Sequence, residues 1–257
     1  MSTQEADPTK LAVIDIGTNS IRLVVAEASA DGGYRTLDDE KVMARLGKGI
    51  ASTGSIDADS IQVAADAVHR MRHIAEGYGV SKIRAIATAA VRDAHNGDEA
   101  VRAIESRAGI PVEIISEEYE ARLAYRSVAE AFDIDGMNTA IVDIGGGSTE
   151  IVVTVKGVVE HVSSLQLGAV RLTEQFGKLD DPFDQQYFDM RTHIKRVLKE
   201  NVPKPEIPLH CIYGTGGTFR ALGYISVCRR TPSAVKDTTP IAVRGHELKT
   251  DEVKHLL

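Results

Sequence analysis

Apolar β-branched residues interrupted by an acid and a small polar turn fill residues 11–25, L-A-V-I-D-I-G-T-N-S-I-R-L-V-V. Nearly the same pattern returns at 139–153, T-A-I-V-D-I-G-G-G-S-T-E-I-V-V. Each copy predicts a β-hairpin whose turn carries free backbone N–H groups and one strand-end carboxylate. Laid over one another without a gap, they align Asp15 with Asp143, Gly17 with Gly145, Ser20 with Ser148 and Arg22 with Glu150. Beyond the first hairpin the pattern predicts a strand from Tyr34 to Leu46 that ends in the turn G-K-G. A helix over about 58–78 follows, with Ile61, Ala64, Ala65, Val68, Met71 and Ile74 at helical spacing and Asp57 or Ser55 as cap. Strand 82–88, a loop carrying Arg92, helix 98–108, strand 112–115 and helix 117–132 complete this half.

Residues 133–138 reset the pattern. Strands 139–144, 150–155 and 158–164 precede helices near 169–177 and 183–200, strand 209–213, the turn G-T-G-G-T and helix 218–228. The final stretch from Ile241 begins a strand and then a helix capped by Thr250, and it reads as cut short at Leu257. Two similar orders of elements predict a duplicated α/β chain, with domains at 1–132 and 133–257. The second domain reads as truncated, and the active site is expected in the interdomain cleft.

Composition narrows the partners. The net charge is −7, which argues against general nucleic-acid binding and asks a polyanionic substrate to meet a local basic lining. Candidates for that lining are Arg22, Arg92, Arg122, Lys156 and Arg171. The polar, acidic N-terminus is no signal peptide and no apolar run is long enough for a membrane span, so a cytoplasmic protein is expected. Cys211 and Cys228 read as buried free thiols.

The turns carry the candidate chemistry. Gly145, Gly146 and Gly147 let a turn adopt left-handed angles and bring amides close to an anion, and Asp143, Ser148, Thr149 and Glu150 flank them. Thr18, Asn19 and Ser20 are donors in the first turn, beside Asp15. Gly214, Thr215, Gly216 and Gly217 run from a strand into a helix, whose N-terminus favours anions. Together they suggest a phosphate clamp with carboxylates for a metal. Glu117, Glu118 and Glu120 compensate a helix dipole, and composition does not choose a general base among them. His69 and His73, four residues apart, lack a third ligand and read as a helix-surface pair.

The two D-I-G hairpins with the third Gly-rich turn resemble the actin-like ATPase superfamily. More closely, D-I-G-T-N-S-I-R-L (15–23), R-L-G-K-G-I (45–50), A-T-A-A-V-R-D-A-H-N (87–96), E-I-I-S-E-E-Y-E-A-R-L (113–123), D-I-G-G-G-S-T-E (143–150) and Y-G-T-G-G-T (213–218) resemble the exopolyphosphatase / guanosine pentaphosphate phosphohydrolase (Ppx/GppA) family. The resemblance implies two actin-like, ribonuclease H-like domains, each a mixed sheet with flanking helices. It implies a Mg²⁺-dependent hydrolase that frees terminal orthophosphate from polyphosphate or from guanosine pentaphosphate, placed in the stringent response and possible as a homodimer. By the same carry-over, Glu120 activates or orients the water and Glu150 is the second essential acid. Asp143 holds the metal, joined by Glu150 and Asp15. The amides of Gly145–Gly147 with Ser148 and Thr149 cradle the phosphate. Thr18, Asn19, Ser20 and Arg22 close on it, Arg92 neutralises it, and the 214–217 turn lines the site. Departures from the family pattern are Glu117 and Tyr119 in the turn before Glu120, and Lys48 where an acid is usual. The alternatives are a (p)ppGpp- or polyphosphate-binding regulator with little turnover, and an actin-fold ATP-dependent kinase.

Overall fold

The computed structural model describes residues 9–29, 32–177, 184–231 and 242–256. Two mixed sheets carry the chain. The first is built from β1 (Lys10–Ile16), β2 (Ile21–Ala28), β3 (Tyr34–Val42), β4 (Lys82–Ala87) and β5 (Val112–Ile114), in the order β3-β2-β1-β4-β5. The second uses β6 (Thr139–Ile144), β7 (Thr149–Val155), β8 (Val158–Leu165) and β9 (Cys211–Thr215), in the order β8-β7-β6-β9. In each, a hairpin and a third antiparallel strand come first, and the opening strand then pairs in parallel with a later one. The expected duplicated α/β architecture is therefore present.

Around these sheets lie α1 (Ile50–Thr53), α2 (Ala58–Gly77), α3 (Ala89–Asp93), α4 (Gly97–Ala108), α5 (Glu117–Ala129), α6 (Ala169–Phe176), α7 (Gln185–Asn201), α8 (Gly216–Arg230) and α9 (Thr250–Leu256). Asp57 caps α2, its side chain accepting from the Ser60 N–H at 2.9 Å. Strand periodicity puts Ala12, Ile14, Ile16, Ile21, Leu23 and Val25 on one face of the first sheet, where they pack with α2 and α4. Each of the large aliphatic side chains sealed there contributes roughly 1.5–3 kcal/mol. Asp15 and Arg22 consequently point to the opposite face.

The chain forms two compact units, Met1–Glu120 with Val170–Ile194, and Ala121–Ala169 with Lys195–Leu257. The first division falls inside α5, so the sequence boundary at 132/133 lies within the second unit. Physically, Ala121, Ala124 and Val128 of α5 bury themselves with Ile141 and Val152 of the second sheet. Segment 170–194, read from sequence as part of the second half, belongs to the first unit.

Two local expectations need correction. The segment carrying Arg92 is the short helix α3 rather than a loop. Strand β3 ends at Val42, and 43–49 forms a loop in which Arg45 takes a left-handed φ of 53°. The expected start of a strand at Ile241 and the last residue, Leu257, lie outside the described residues, as does residue 183 at the expected start of α7. Cys211 and Cys228 are free thiols, half-buried rather than buried.

Candidate active site

Both hairpin turns close with the same bond. The Gly17 N–H donates to the Ser20 carbonyl at 3.1 Å, and the Gly145 N–H donates to that of Ser148 at 3.0 Å. A Cβ would stand 3.0 Å from the Ser20 oxygen at Gly17 and 3.4 Å from the Ser148 oxygen at Gly145, and neither glycine has a positive φ. At Gly17 the tight contact asks for a glycine, whereas at Gly145 the contact is an ordinary one and the expected left-handed angle is absent.

Each turn is then braced by the segment leaving the third strand. In the first unit the Arg45 and Gly47 N–H groups donate to the Asn19 and Thr18 carbonyls at 2.9 and 2.8 Å. In the second, the Ala169 N–H donates to the Gly145 carbonyl at 3.0 Å and the Thr149 hydroxyl to the Leu167 carbonyl at 2.7 Å. Gly168 lies so close that a Cβ there would stand 2.2 Å from the Gly146 carbonyl oxygen. Sequence reasoning missed these braces, because long-range backbone approach leaves no local periodicity.

Register sets the charged positions. Asp15 lies directly opposite Arg22, and Asp143 directly opposite Glu150, so each pair shares a face about 4.5–5.5 Å apart at Cβ. Arg22 turns its fork to β3, where Nε and Nη2 donate to the Asp39 carboxylate at 2.7 and 2.5 Å. Glu150 is only 3% exposed and accepts from the Ser164 hydroxyl at 3.0 Å. Burial pushes the Asp143 carboxyl above the usual carboxylate range, and the nearby Thr215 pulls more weakly the other way. The Thr215 hydroxyl is itself buried next to that carboxyl.

Gly216 opens α8 with a φ of 83°, and a Cβ there would stand 2.4 Å from Asp143 Oδ1. A Cβ on Gly214 would collide with the Phe219 ring, whereas Gly217 faces open space. Of the glycines in this turn, Gly216 is thus the one that brings backbone against the strand-end acid.

In the first unit, the C-terminal ends of the parallel strands β1, β4 and β5 lead into the Gly17–Ser20 turn, α3 and α5. Open α/β sheets bind ligands at such strand ends. Arg92 of α3 donates through Nη1 to the Ile115 carbonyl at 3.1 Å and to Glu120 Oε2 at 3.0 Å. Its Nε and Nη2 are buried and make no hydrogen bond, the nearest acids being Asp93 and Glu117 at 3.7 Å. Of the three first-turn acids, Glu120 is hydrogen-bonded to Arg92, while Glu117 stands at 3.7 Å and Glu118 is solvent-exposed.

Of the other basic candidates, Arg122 is exposed on α5. Lys156 lies in the β7–β8 turn, its N–H on Asn138 Oδ1 at 3.0 Å. The seven residues of β7 separate it from Glu150's end of the hairpin by roughly 20 Å, so it cannot line that turn. Arg171 pairs with Asp93 at 2.8 Å. His69 and His73 stack edge to face with centroids 4.6 Å apart. Among the described residues, no three His, Cys, Asp or Glu side chains gather as a metal cage.

Known proteins share this chain's family and fold. A model of the Ppx/GppA phosphatase family matches residues 10–255. Exopolyphosphatase 2 of Mycobacterium tuberculosis is 32% identical over 227 residues, which span 85% of this chain and 71% of the relative. A crystal structure of the Aquifex aeolicus Ppx/GppA family member superposes with a TM-score of 0.75 at 28% identity, covering 97% of this chain and 78% of that one. An exopolyphosphatase structure from Cytophaga hutchinsonii gives 0.77 at 26% identity, over 96% and 78%.

Proposed function

The chain belongs to the Ppx/GppA phosphatase family, and from that premise we propose that it is an exopolyphosphatase, hydrolysing the terminal phosphoanhydride bond of inorganic polyphosphate. Guanosine pentaphosphate, whose 5′ end presents the same chemistry, is the second substrate to test. The observation that carries this reading is the open edge of Arg92. Buried donors left unpaired cost about 1–3 kcal/mol each, so a buried guanidinium with two unsatisfied N–H groups is suited to an anion that supplies both acceptors. A phosphate fits that edge bidentately.

Phosphoryl transfer depends mostly on positioning and charge stabilisation. In this reading the amides of Gly145, Gly146 and Gly147, with Ser148 and Thr149, form one phosphate-binding turn, and Thr18, Asn19 and Ser20 supply the donors of another. The 214–217 turn adds backbone amides, chiefly through Gly216. Arg92 neutralises the transferred group. Glu120, held by Arg92, takes a proton from the water whose oxygen bonds to the terminal phosphorus; the bridging P–O bond breaks, the shortened polyphosphate keeps the bridging oxygen, and the terminal group is released as orthophosphate. Arg22 is committed to Asp39 and has a lesser role.

A divalent cation, Mg²⁺ above all, suits the second unit. Asp143 and Glu150 are paired acids in a shielded setting beside the buried Thr215 hydroxyl. Magnesium keeps several waters and needs only one or two carboxylates plus substrate phosphates, so a full protein cage is not required. Asp15, on the exposed face beside Arg22, is a weaker candidate ligand. When bound, the cation supplies charge neutralisation for the phosphates.

Incubation with Mg²⁺ and, separately, medium-chain polyphosphate, guanosine pentaphosphate and ATP tests the proposal. Orthophosphate release from polyphosphate is expected. Tight polyphosphate binding without release would instead mark a regulator, and ATP loss that requires an acceptor would mark a kinase.

A further inference from the structure

We propose that Arg171 is a positioning residue that keeps Asp93 off the open edge of Arg92. The inference rests on the reading of that edge as a phosphate site. Asp93 directly follows Arg92 at the end of α3, and its Oδ1 stands 3.7 Å from Arg92 Nε, too far for a hydrogen bond. Its Oδ2 instead accepts from Arg171 Nη2 at 2.8 Å. The side chains of Arg92, Asp93 and Arg171 are 16%, 20% and 24% exposed, so water screens these charges only in part.

The competing arrangement is close at hand. A movement of about 1 Å would bring Asp93 to the charge-assisted distance from Arg92 Nε and close the edge that the substrate needs. Arg171 opposes this by giving the same carboxylate its own partner. Arg171 is itself fixed, because α6 is fastened within the same unit. Glu174, one turn along α6, accepts the Gly49 N–H at 2.6 Å, and Val170 packs where a Cβ on Gly47 would reach it at 3.5 Å. Residues four apart share a helix face, so one side of α6 carries both fastenings. Segment 45–49 also braces the Thr18–Asn19 turn, which links Arg171's support to that turn.

The test uses the full chain with polyphosphate and Mg²⁺, and compares Arg171→Gln, Asp93→Asn, the double variant and Arg171→Lys. Arg171→Gln is expected to raise KM about tenfold to a hundredfold, with a smaller fall in kcat. Adding Asp93→Asn is expected to bring KM back to within about threefold of Asp93→Asn alone, because the competitor is gone. Arg171→Lys, which keeps the charge and loses the fork, should fall between wild type and Arg171→Gln. A double variant as poor as Arg171→Gln overturns the proposal, since a purely structural or direct role of Arg171 predicts no rescue. If Arg171→Gln does not fold, the same rescue by Asp93→Asn is required in the Arg171→Lys background. Tripolyphosphate affinity measured by calorimetry repeats the comparison without turnover. Wild-type binding without hydrolysis would then overturn the hydrolase reading alone, and unchanged affinity in Arg171→Gln would overturn this proposal alone.

Discussion

The two hairpins share turn bond, register and sheet order, yet the same face of each meets a different environment. Val13 is 42% exposed, whereas its counterpart Ile141 is fully buried, covered with Val152 by α5. Asp15 and Arg22 accordingly sit on an open face with Asp39 as partner, while Asp143 and Glu150 sit in a shielded one. One backbone design thus yields a solvated ion pair in one unit and a desolvated pair of acids in the other. The lesson is that the cover over a sheet decides what its strand-end residues can do. An acid in low dielectric is a strong ligand for a cation, and an ion pair in water is a weak contributor to anything.

The largest expected effect would break the comparison outright. Glu150→Gln should lower phosphate release about 10²–10⁴-fold with folding intact, the scale of a lost catalytic acid or metal contact. Arg22→Gln should cost no more than about fivefold, because that side chain is already paired in the open. Equal losses in steady-state assays would show that exposure does not separate the two positions.

A middle-sized effect concerns the braces. Gly168→Ala sets a Cβ against the Gly146 backbone, which cannot rotate away, while Gly47→Ala meets the Thr18 methyl at 2.3 Å, a group that can shift. Urea unfolding should therefore show Gly168→Ala costing about 1–3 kcal/mol or more, and Gly47→Ala clearly less. A reversed order would mean that the second turn is the looser one.

The smallest effect sharpens the electrostatic difference. Asp143 has a carboxyl pKa raised by burial, so its folded-state penalty is absent below the ordinary carboxylate range and grows as pH rises through the raised value. Asp143→Asn should raise the metal-free Tm by a few degrees at most at neutral pH, and the gain should vanish at acidic pH. Asp15→Asn, on the exposed face, should leave Tm nearly unchanged at either pH. An Asp143→Asn protein that is less stable at neutral pH would contradict a desolvated acid.

What the sequence revealed follows from the range of each signal. The repeated apolar runs around an acid and a small polar turn located both hairpins and put Arg22 and Glu150 in equivalent slots, and the apolar spacing of 61–74 located α2. Glu120 could not be separated from Glu117 and Glu118 by composition, because all three satisfy a helix dipole equally well. Only the bond to Arg92, from a residue 28 positions away, separates them. Gly168 was opaque for the same reason, and Arg171, picked out only as a basic candidate, gave no sign of its partner: their contacts are with Gly146 and Asp93, far off in the chain. The short α3 escaped because five residues are too few to display a helical period.

One irregularity remains in both sheets. The pairing of β2 with β3 slips between Val25 and Ala26, and that of β7 with β8 slips between Val153 and Thr154, the aligned positions of the two copies. A bulge fixes how far a strand bends and which way its following side chains point. With turn, register and bulge all matched, the two hairpins are interchangeable parts. A chimera carrying the second hairpin in place of the first would keep the backbone plan, yet it would need a new cover for Ile141 and Val152 as well as a new partner for the transplanted acid.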